Sequence, residues 1–396
     1  MVSQGRESVM PDSKNHSVIL SYPFRLFFLA TSLSAMVLVP IWVFAFTHGV
    51  SLPLALPPLS WHQHEMLSGF VNAAIAGFLL TAVCNWTRTP PVKGGGLLVL
   101  GVLWLTGRVL MAFGFRIPAI SAVVDLLFLP VVTFLVAVRV MKARQWRQSP
   151  IIVVLMMLWA ADMAFHLSAN PRFLHAQLLM VSALILVIGG RITPAFTNNW
   201  LRVSGRQTVP IRFHPWLDWL GVLLAVMLAL SVCVGEQDNP LAGVVALMAA
   251  LVVLVRVMMW RPLKILGEPL LWILHVGHCW LASGYFLFAW SLYQHSSDSA
   301  WVHALGAGAI GTMILGVMTR VTVGHTGNPM RLLKGGVYLY VAVIAAGTVR
   351  VWAAMGGLSL PGSWYVAAGL WALAFGGFSI LYGPLLWRPR MDGRAG

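Results

Sequence analysis

Long runs of apolar residues alternate with short polar segments along nearly the whole chain. The apolar residues within each run are contiguous rather than alternating with period two, which indicates membrane-spanning helices and excludes the strands of a β-barrel. A spanning helix needs about 20 mostly apolar residues, and the sequence therefore predicts an all-α, polytopic membrane protein. The twelve predicted spans, numbered in chain order, are 26–48, 64–84, 96–114, 118–138, 151–169, 173–190, 214–234, 240–258, 268–291, 301–319, 335–357 and 363–386.

The composition supports this fold class, and the charge adds an orientation. Hydrophobic residues make up 59% of the chain and charged residues 9%, which is far from the composition of a soluble domain. The net charge of +15 would by itself suggest a nucleic-acid partner. If the N-terminus is cytoplasmic, however, all but four of the 26 Lys and Arg residues fall on the inner side, the exceptions being Arg108, Arg116, Arg172 and Arg350. This positive-inside bias predicts the lipid bilayer as partner, no nucleic acid, and both termini in the cytoplasm.

The rest of the sequence predicts a simple domain organisation. Residues 1–22 are expected to form a cytoplasmic N-terminal tail without a cleavable signal, residues 23–388 one membrane domain, and residues 389–396 a cytoplasmic C-terminal tail. The three cysteines are scattered and offer neither a disulfide framework nor a CxxC metal motif. Because CxxCH is also absent, any haem would be held non-covalently.

Three passages of the sequence resemble one another. They are "HEMLSGFVNAAIAGFLLTAVCNWT" at 64–87, "LHAQLLMVSALILVIGGRITPAFTNNW" at 174–200 and "VHALGAGAIGTMILGVMTRVTVGHTGN" at 302–328. Each has a His near its start, then an apolar span, then Thr and Asn near its end. They belong to spans two, six and ten, so the recurrence every four helices predicts three four-helix units. A chance likeness among helices of the same orientation is the alternative.

Five histidines are predicted at one depth, near the outer boundary of the membrane: His62, His64, His166, His175 and His303. Ionisable groups in spans are costly and suggest function, although an interfacial His bonded to a carbonyl is the simpler alternative for each. His62 and His64 are two residues apart and cannot share a helix face. We predict His64 as the inward ligand, with Glu65 tuning a ring tautomer or taking a proton. Asp162 lies four residues before His166, so its carboxylate could orient that ring.

A second group of candidate ligands is predicted deeper in the membrane and at its inner face. His275 and His278 are three residues apart in span nine and therefore share a face, a spacing suited to a metal. His325 and Arg320 lie at the inner end of span ten, close in depth to Arg191 of span six.

Arg108 and Asp125 are predicted to be buried at matching depths in spans three and four. A structural ion pair is the simpler interpretation. The alternative is that Arg108 binds an anionic cofactor group, because a guanidinium binds a carboxylate through two parallel hydrogen bonds.

Several segments resemble the NnrS family over residues 23 to about 385. They are "PFRLFFL" (23–29), "WHQHEMLSGF" (61–70), "GFLLTAVCNWT" (77–87), "GGRITPAFTNNW" (189–200), "LHVGHCWL" (274–281) and "HALGAGAIGTMILGVMTRVTVGHTG" (303–327). The family comprises twelve-helix bacterial inner-membrane proteins that contain haem and copper and are associated with the nitric oxide response and denitrification. The family motifs cover the candidate metal ligands His62, His64, His275, His303 and His325. His278 departs from the family pattern, which has an aromatic residue there.

The three predicted four-helix units are also similar to the layout of haem–copper oxidase subunit I, an analogy of layout alone. In that fold, histidines on helices two and ten hold a low-spin haem. The analogy implies that His64 and His303 are the axial ligands of a non-covalent, b-type haem. His62 would be a further cofactor ligand, Arg108 would meet a propionate, and copper would be the second metal.

The resemblance implies a haem- and copper-binding membrane protein of the bacterial inner membrane that acts in the nitric oxide and nitrosative stress response, binding or redox-processing NO-derived species. A proton-coupled secondary transporter is one alternative, because intramembrane Arg, Asp and His can relay protons; a haem or metal delivery factor is another. The sequence leaves open whether the protein is an enzyme and whether it is oligomeric. It contains no flavin, nicotinamide or iron–sulfur motif, so turnover of NO would need an external electron donor.

Overall fold

The chain forms a bundle of long helices. The computed structural model describes residues 17–206, 210–235, 238–359 and 362–393. Twelve of its helices are long and apolar enough to cross a membrane, which confirms the predicted all-α class and the number of spans. They are α1 (Pro23–His48), α2 (Pro58–Thr87), α3 (Gly95–Phe113), α4 (Pro118–Lys142), α5 (Trp146–Ser168), α6 (Arg172–Val203), α7 (Pro215–Val234), α8 (Pro240–Met259), α9 (Pro269–Gln294), α10 (Ser299–His325), α11 (Gly336–Ala354) and α12 (Gly362–Trp387). Most of the predicted N-terminal tail and residues 394–396 of the C-terminal tail lie outside the described residues.

Helix α2 begins earlier than its hydropathy predicts. The sequence predicts a start at residue 64, whereas the helix begins at Pro58, because proline in the first turn is already in the helical conformation. His62 and His64 therefore both lie on helical turns. Helices α6 and α10 continue past their apolar runs to Val203 and His325, since hydropathy marks the membrane core and not the end of the helical backbone.

The three helices that carry the repeated sequence lie at the centre of the bundle. The most apolar window of α2 is 89% buried, that of α6 78% and that of α10 67%. Among the other helices, α9 is also 67% buried, and the remaining eight are 33–50% buried. Helices α2, α6 and α10 contact one another, so any site that they share is shielded from lipid.

The contacts between helices recur with a period of four. Helix α1 packs on α2, α5 on α6 and α9 on α10. The same three helices also pack on a helix of the adjacent predicted four-helix unit: α1 on α12, α5 on α4 and α9 on α8. A third set of contacts joins α3 to α4, α7 to α8 and α11 to α12. This pattern agrees with the three four-helix units predicted from the repeat.

Two of the central helices contain a π-helical segment at equivalent places. It covers Glu65–Val71 in α2 and Ala304–Ile310 in α10, in each case directly after a histidine of the repeat. Such segments insert a residue into the helix and are frequent at functional sites. Helix α6 is a continuous α-helix, so the repeat is closest between α2 and α10.

Helices α10 and α11 approach each other through glycine. A Cβ added at Gly347 would lie 3.2 Å from the Cα of Gly308, and a backbone atom cannot move aside as a flexible side chain can. We expect Gly347→Leu to lower stability by about 1–3 kcal/mol through overpacking, measured as a lower thermal unfolding midpoint in detergent. Gly369→Leu is the matched control, because a Cβ there meets no atom within 4 Å. Equal midpoints for the two variants would contradict this packing.

Candidate functional site

A cavity with about 950 Å³ of empty space, part of it open to the exterior, lies between helix ends at the side of the bundle that the sequence predicts to be outer. The walls come from α1, α2, α6, α10, α11 and α12 and are mostly aliphatic or aromatic. Three histidines line this outer cavity: His62 from α2, His175 from α6 and His303 from α10. Each of the three central helices thus contributes one imidazole.

His303 has a fixed ring tautomer. Its Nδ1 lies 2.7 Å from the carbonyl oxygen of Ser299, and a carbonyl only accepts, so Nδ1 carries the proton and Nε2 carries the lone pair. Beyond the ring, Gly306 and Ala307 line the same wall and leave room beside it. A neutral imidazole with one nitrogen held in this way is the form that binds haem iron or a metal ion.

The other two histidines of the outer cavity are held mainly by aromatic rings. His62 is stacked on Trp42, with ring centroids 4.1 Å apart and planes inclined by 19°, and its Nδ1 is buried without a hydrogen-bond partner among the described residues. The ring of His175 lies edge-on to Trp301 at 5.2 Å, and its Nδ1 is 3.7 Å from a carboxylate oxygen of Asp298. All three rings are therefore packed in place before any ligand is bound.

Arg350 of α11 supplies a cation to the wall of the outer cavity. Its Nη2 donates to the hydroxyl of Ser299 at 3.2 Å, and its guanidinium lies 5.5 Å from the ring centroid of Trp364. By sequence alone, Arg350 is only one of the few basic residues on the predicted outer side. Its status as an exception to the positive-inside bias was the signal that could have identified it.

A second, apolar cavity of about 610 Å³ lies between α1, α2, α6 and α10. It shares Val71 and Ile310 with the outer cavity, so the two adjoin. Its lining is entirely hydrophobic apart from the backbone of Gly189. An apolar region therefore extends from the outer cavity into the depth of the bundle.

His64 and Arg108 do not line the outer cavity, and their roles beside a haem stay predictions. His64 is fully buried on the opposite side of α2 from His62, because two residues turn a helix by about 200°. Arg108 donates to Glu65 at 2.8 Å and forms an ion pair with Asp125. The simpler interpretation of Arg108, a structural ion pair with Asp125, is the arrangement found.

His64 lies instead in a buried polar cluster with Asp125, Asp162 and His166. One ligand atom from each of the four residues can be chosen so that all four lie within 4.8 Å of one another, a grouping that could hold a metal ion. Asp162 Oδ1 lies 4.0 Å from His166 Nε2, which is beyond hydrogen-bond distance, so the expected orienting partnership stays a prediction. We call these four residues the carboxylate–histidine cluster.

His275 and His278 share a buried face of α9, as predicted. Each Nδ1 donates to a carbonyl one turn earlier, at 3.1 Å and 2.8 Å respectively. Each Nε2 is buried with no hydrogen-bond partner among the described residues. A Cβ added at Gly189 of α6 would meet both the terminal methyl carbon of Met313 and the Nε2 of His278, so the Met313 side chain lies near His278. His275 lies one turn before His278 on the same face of α9.

The remaining predicted ligands lie at the inner end of the bundle and are not close to these groups. His325 packs against Phe24, with ring centroids 5.5 Å apart. The guanidinium of Arg320 lies 4.0 Å from the ring centroid of Phe196, and Arg191 donates to Gln148 at 3.1 Å. Among the described residues, the carboxylate–histidine cluster is the one group of His, Cys, Asp and Glu close enough to hold a metal, and His325 is not part of it.

Twelve apolar helices and a buried grouping of His and Asp that could hold a metal ion define a multi-pass membrane protein with a candidate metal site. The sequence profile of the family described as NnrS protein matches residues 18–390. The chain therefore belongs to the NnrS family, and this membership supports a role in the response to nitric oxide. No curated relative matches the sequence significantly.

Proposed function

We propose that the protein holds a non-covalent, b-type haem in the outer cavity and binds nitric oxide there, as part of the nitrosative stress response. The observation that carries the proposal is the convergence of three imidazoles and one guanidinium in a single, otherwise mostly apolar cavity. Haem is a flat apolar ring with two carboxylates and needs an axial ligand from the protein. The residues present match each of these requirements.

Different residues of the outer cavity would bind the iron and the propionates of the haem. His303 and His62, on α10 and α2, are the proposed iron ligands, with His175 as the further imidazole of the wall. Arg350, rather than Arg108, would pair with a propionate, because a guanidinium matches a carboxylate geometrically. Bound haem would supply an iron atom that coordinates NO.

The apolar interior gives a small uncharged ligand a route to this site. NO dissolves in lipid, and the second cavity, which adjoins the outer one, has hydrophobic walls. Water and ions are disfavoured in such a space. The bundle is thus suited to admit a diatomic gas from the membrane.

Copper, the other metal implied by the family, would suit the donors on the buried face of α9. Thioether and imidazole are the ligands that select cuprous copper, and His275, His278 and Met313 provide them. His278 belongs to this set although it departs from the family sequence pattern, because its unpartnered Nε2 is buried.

We further propose that the protein lies in the bacterial inner membrane with both termini in the cytoplasm, on the basis of its positive-inside charge distribution. Binding of NO requires no electrons, whereas its reduction would require a donor protein. Binding is therefore the minimal function that the site supports.

The test is an absorption spectrum of the purified protein, oxidised and reduced, with iron and copper measured on the same sample. We expect a Soret band that shifts on reduction and again on addition of NO, with near-stoichiometric iron and copper. A haem lost during purification but accepted by an apo-protein partner would support the delivery factor instead. A folded protein that stays colourless and free of metal, when expressed with haem and copper supplied, would contradict the proposal and favour the transporter.

A further inference from the structure

We propose that the carboxylate–histidine cluster is a tetrahedral site for a divalent cation of the zinc or ferrous class, separate from the haem and copper sites proposed above. The Nε2 of His64 lies 3.1 Å from Asp125 Oδ2 and 3.5 Å from Asp162 Oδ1. The Nε2 of His166 lies 3.6 Å and 4.0 Å from the same two oxygens. An ion with ligand bonds of about 2.0–2.2 Å separates its tetrahedral ligands by about 3.3–3.6 Å. These four separations bracket that range, and one ligand atom from each residue can be chosen so that all four atoms lie within 4.8 Å of one another, as ligands of a shared ion must.

The atoms that point away from this centre are held by other side chains. The Nδ1 of His64 faces Glu65 Oε1 at 3.2 Å, which leaves the Nε2 lone pair for a metal. The outer oxygen of Asp162 accepts from the Ser68 hydroxyl at 3.0 Å, and that of Asp125 is paired with Arg108. Carboxylates and hydrogen-bond donors in these positions orient metal ligands and set the histidine tautomer.

The atoms that point towards the centre, in contrast, include some that lack a partner. Asp162 Oδ1 and His166 Nε2 are buried, and neither has a hydrogen-bond partner among the described residues. Asp162 is 3% exposed and His64 fully buried. A polar atom buried in a membrane bundle without a partner is costly, and one cation at the centre would satisfy both atoms together.

The charge of the region also favours a cation. Glu65, Asp125 and Asp162 are all buried, and Arg108 is the basic residue that pairs with two of them. With neutral imidazoles, three carboxylates and one guanidinium leave two negative charges uncompensated in a medium where each is expensive. A divalent ion balances them, as would one proton on each imidazole, whereas a monovalent ion or a single proton does not.

The types of ligand atom and their number indicate which metal the site binds and whether the site is structural. Two imidazoles and two carboxylates without sulfur suit zinc or ferrous iron better than cuprous copper, and four protein ligands are typical of a structural site. The ion would join α2, α4 and α5 close to the predicted outer end of the bundle. Because His62 lies two residues before His64, the same ion would fix the helical turn that presents His62 to the outer cavity.

The test is metal analysis of the purified full-length protein, with haem determined separately so that non-haem iron is known. We expect about one zinc or non-haem iron atom per chain. Asp162→Asn preserves the shape of the side chain and should reduce that metal at least tenfold while the protein stays monodisperse. Asp238→Asn, an exposed position, is the matched control and should retain it. Zinc K-edge absorption of wild-type protein reloaded with Zn²⁺ should show nitrogen and oxygen ligands at about 2.0–2.1 Å and no sulfur.

Several results would overturn the site. One is wild-type protein that contains neither metal and takes up no Zn²⁺, which would mean that protons alone balance the cluster. Others are unchanged metal content in Asp162→Asn, a sulfur ligand in the absorption data, or loss of copper rather than zinc or iron from this variant. Because haem content is measured on the same samples, failure of the divalent-cation site can be distinguished from failure of the haem proposal. The absorption data on wild-type protein decide the question even if the variant does not fold.

Discussion

Replacing His303 with alanine is expected to reduce the haem content at least tenfold while the bundle stays folded. His303 is the cavity histidine whose tautomer is fixed by a backbone carbonyl, and its removal takes away a ligand without leaving a charge behind. The measurement is haem per polypeptide after purification, with gel filtration to show that the variant is monodisperse. His295→Ala, at an exposed position, should keep the full haem content. Addition of imidazole to His303→Gly should restore part of the Soret absorption.

The variants His62→Ala and His64→Ala test which of the two histidines is the haem ligand: His62, as the outer cavity suggests, or His64, as the sequence suggests. The two residues are neighbours in the chain, but only His62 lines the outer cavity, whereas His64 lies among carboxylates. We expect His62→Ala to lose haem and His64→Ala to retain most of it. The opposite result would restore His64 as the axial ligand and contradict the cavity as the haem site.

The sequence predicts depth in the membrane better than direction around a helix. Helical rise converts residue number to depth, so the common level of His62, His175 and His303 was predictable, as were the number of spans and the repeat. The direction of each side chain depends on helix rotation, which changes by about 100° for each residue. An error of one or two residues in a helix start, or an inserted π turn, is enough to exchange His62 for His64.

Convergence of distant residues was the second feature that the sequence could not supply. Depth and spacing predict only local pairs, namely Asp125 with Arg108 and Asp162 with His166. The cluster requires α2, α4 and α5 to meet at one level, which is a property of the packing. Its charge imbalance, by contrast, was already present in the sequence as three acidic residues at one depth of an otherwise apolar bundle.

Replacing Arg108 with methionine is expected to destabilise the protein more than any other single substitution considered above. Arg108 is 9% exposed and pairs with Glu65 and Asp125. Its loss leaves buried carboxylates uncompensated, which costs about 3–5 kcal/mol in comparable ion pairs. We expect a much lower yield of folded protein and a lower unfolding midpoint in detergent. Arg116→Met, the same substitution at an exposed position, should change stability by about 0.5 kcal/mol or less.

A double variant distinguishes charge from packing as the cause of this loss. Asp125→Asn removes one carboxylate that Arg108 neutralises, so Arg108→Met combined with Asp125→Asn should be more stable than Arg108→Met alone. If the loss came only from the missing side-chain volume, the second substitution would add its own cost. Added Zn²⁺ should also raise the unfolding midpoint of Arg108→Met, because a cation between the remaining carboxylates and imidazoles replaces part of the lost positive charge. An Arg108→Met variant as stable as the wild type would show that the carboxylates are already neutral, and the charge argument for a cation in the cluster would fail with it.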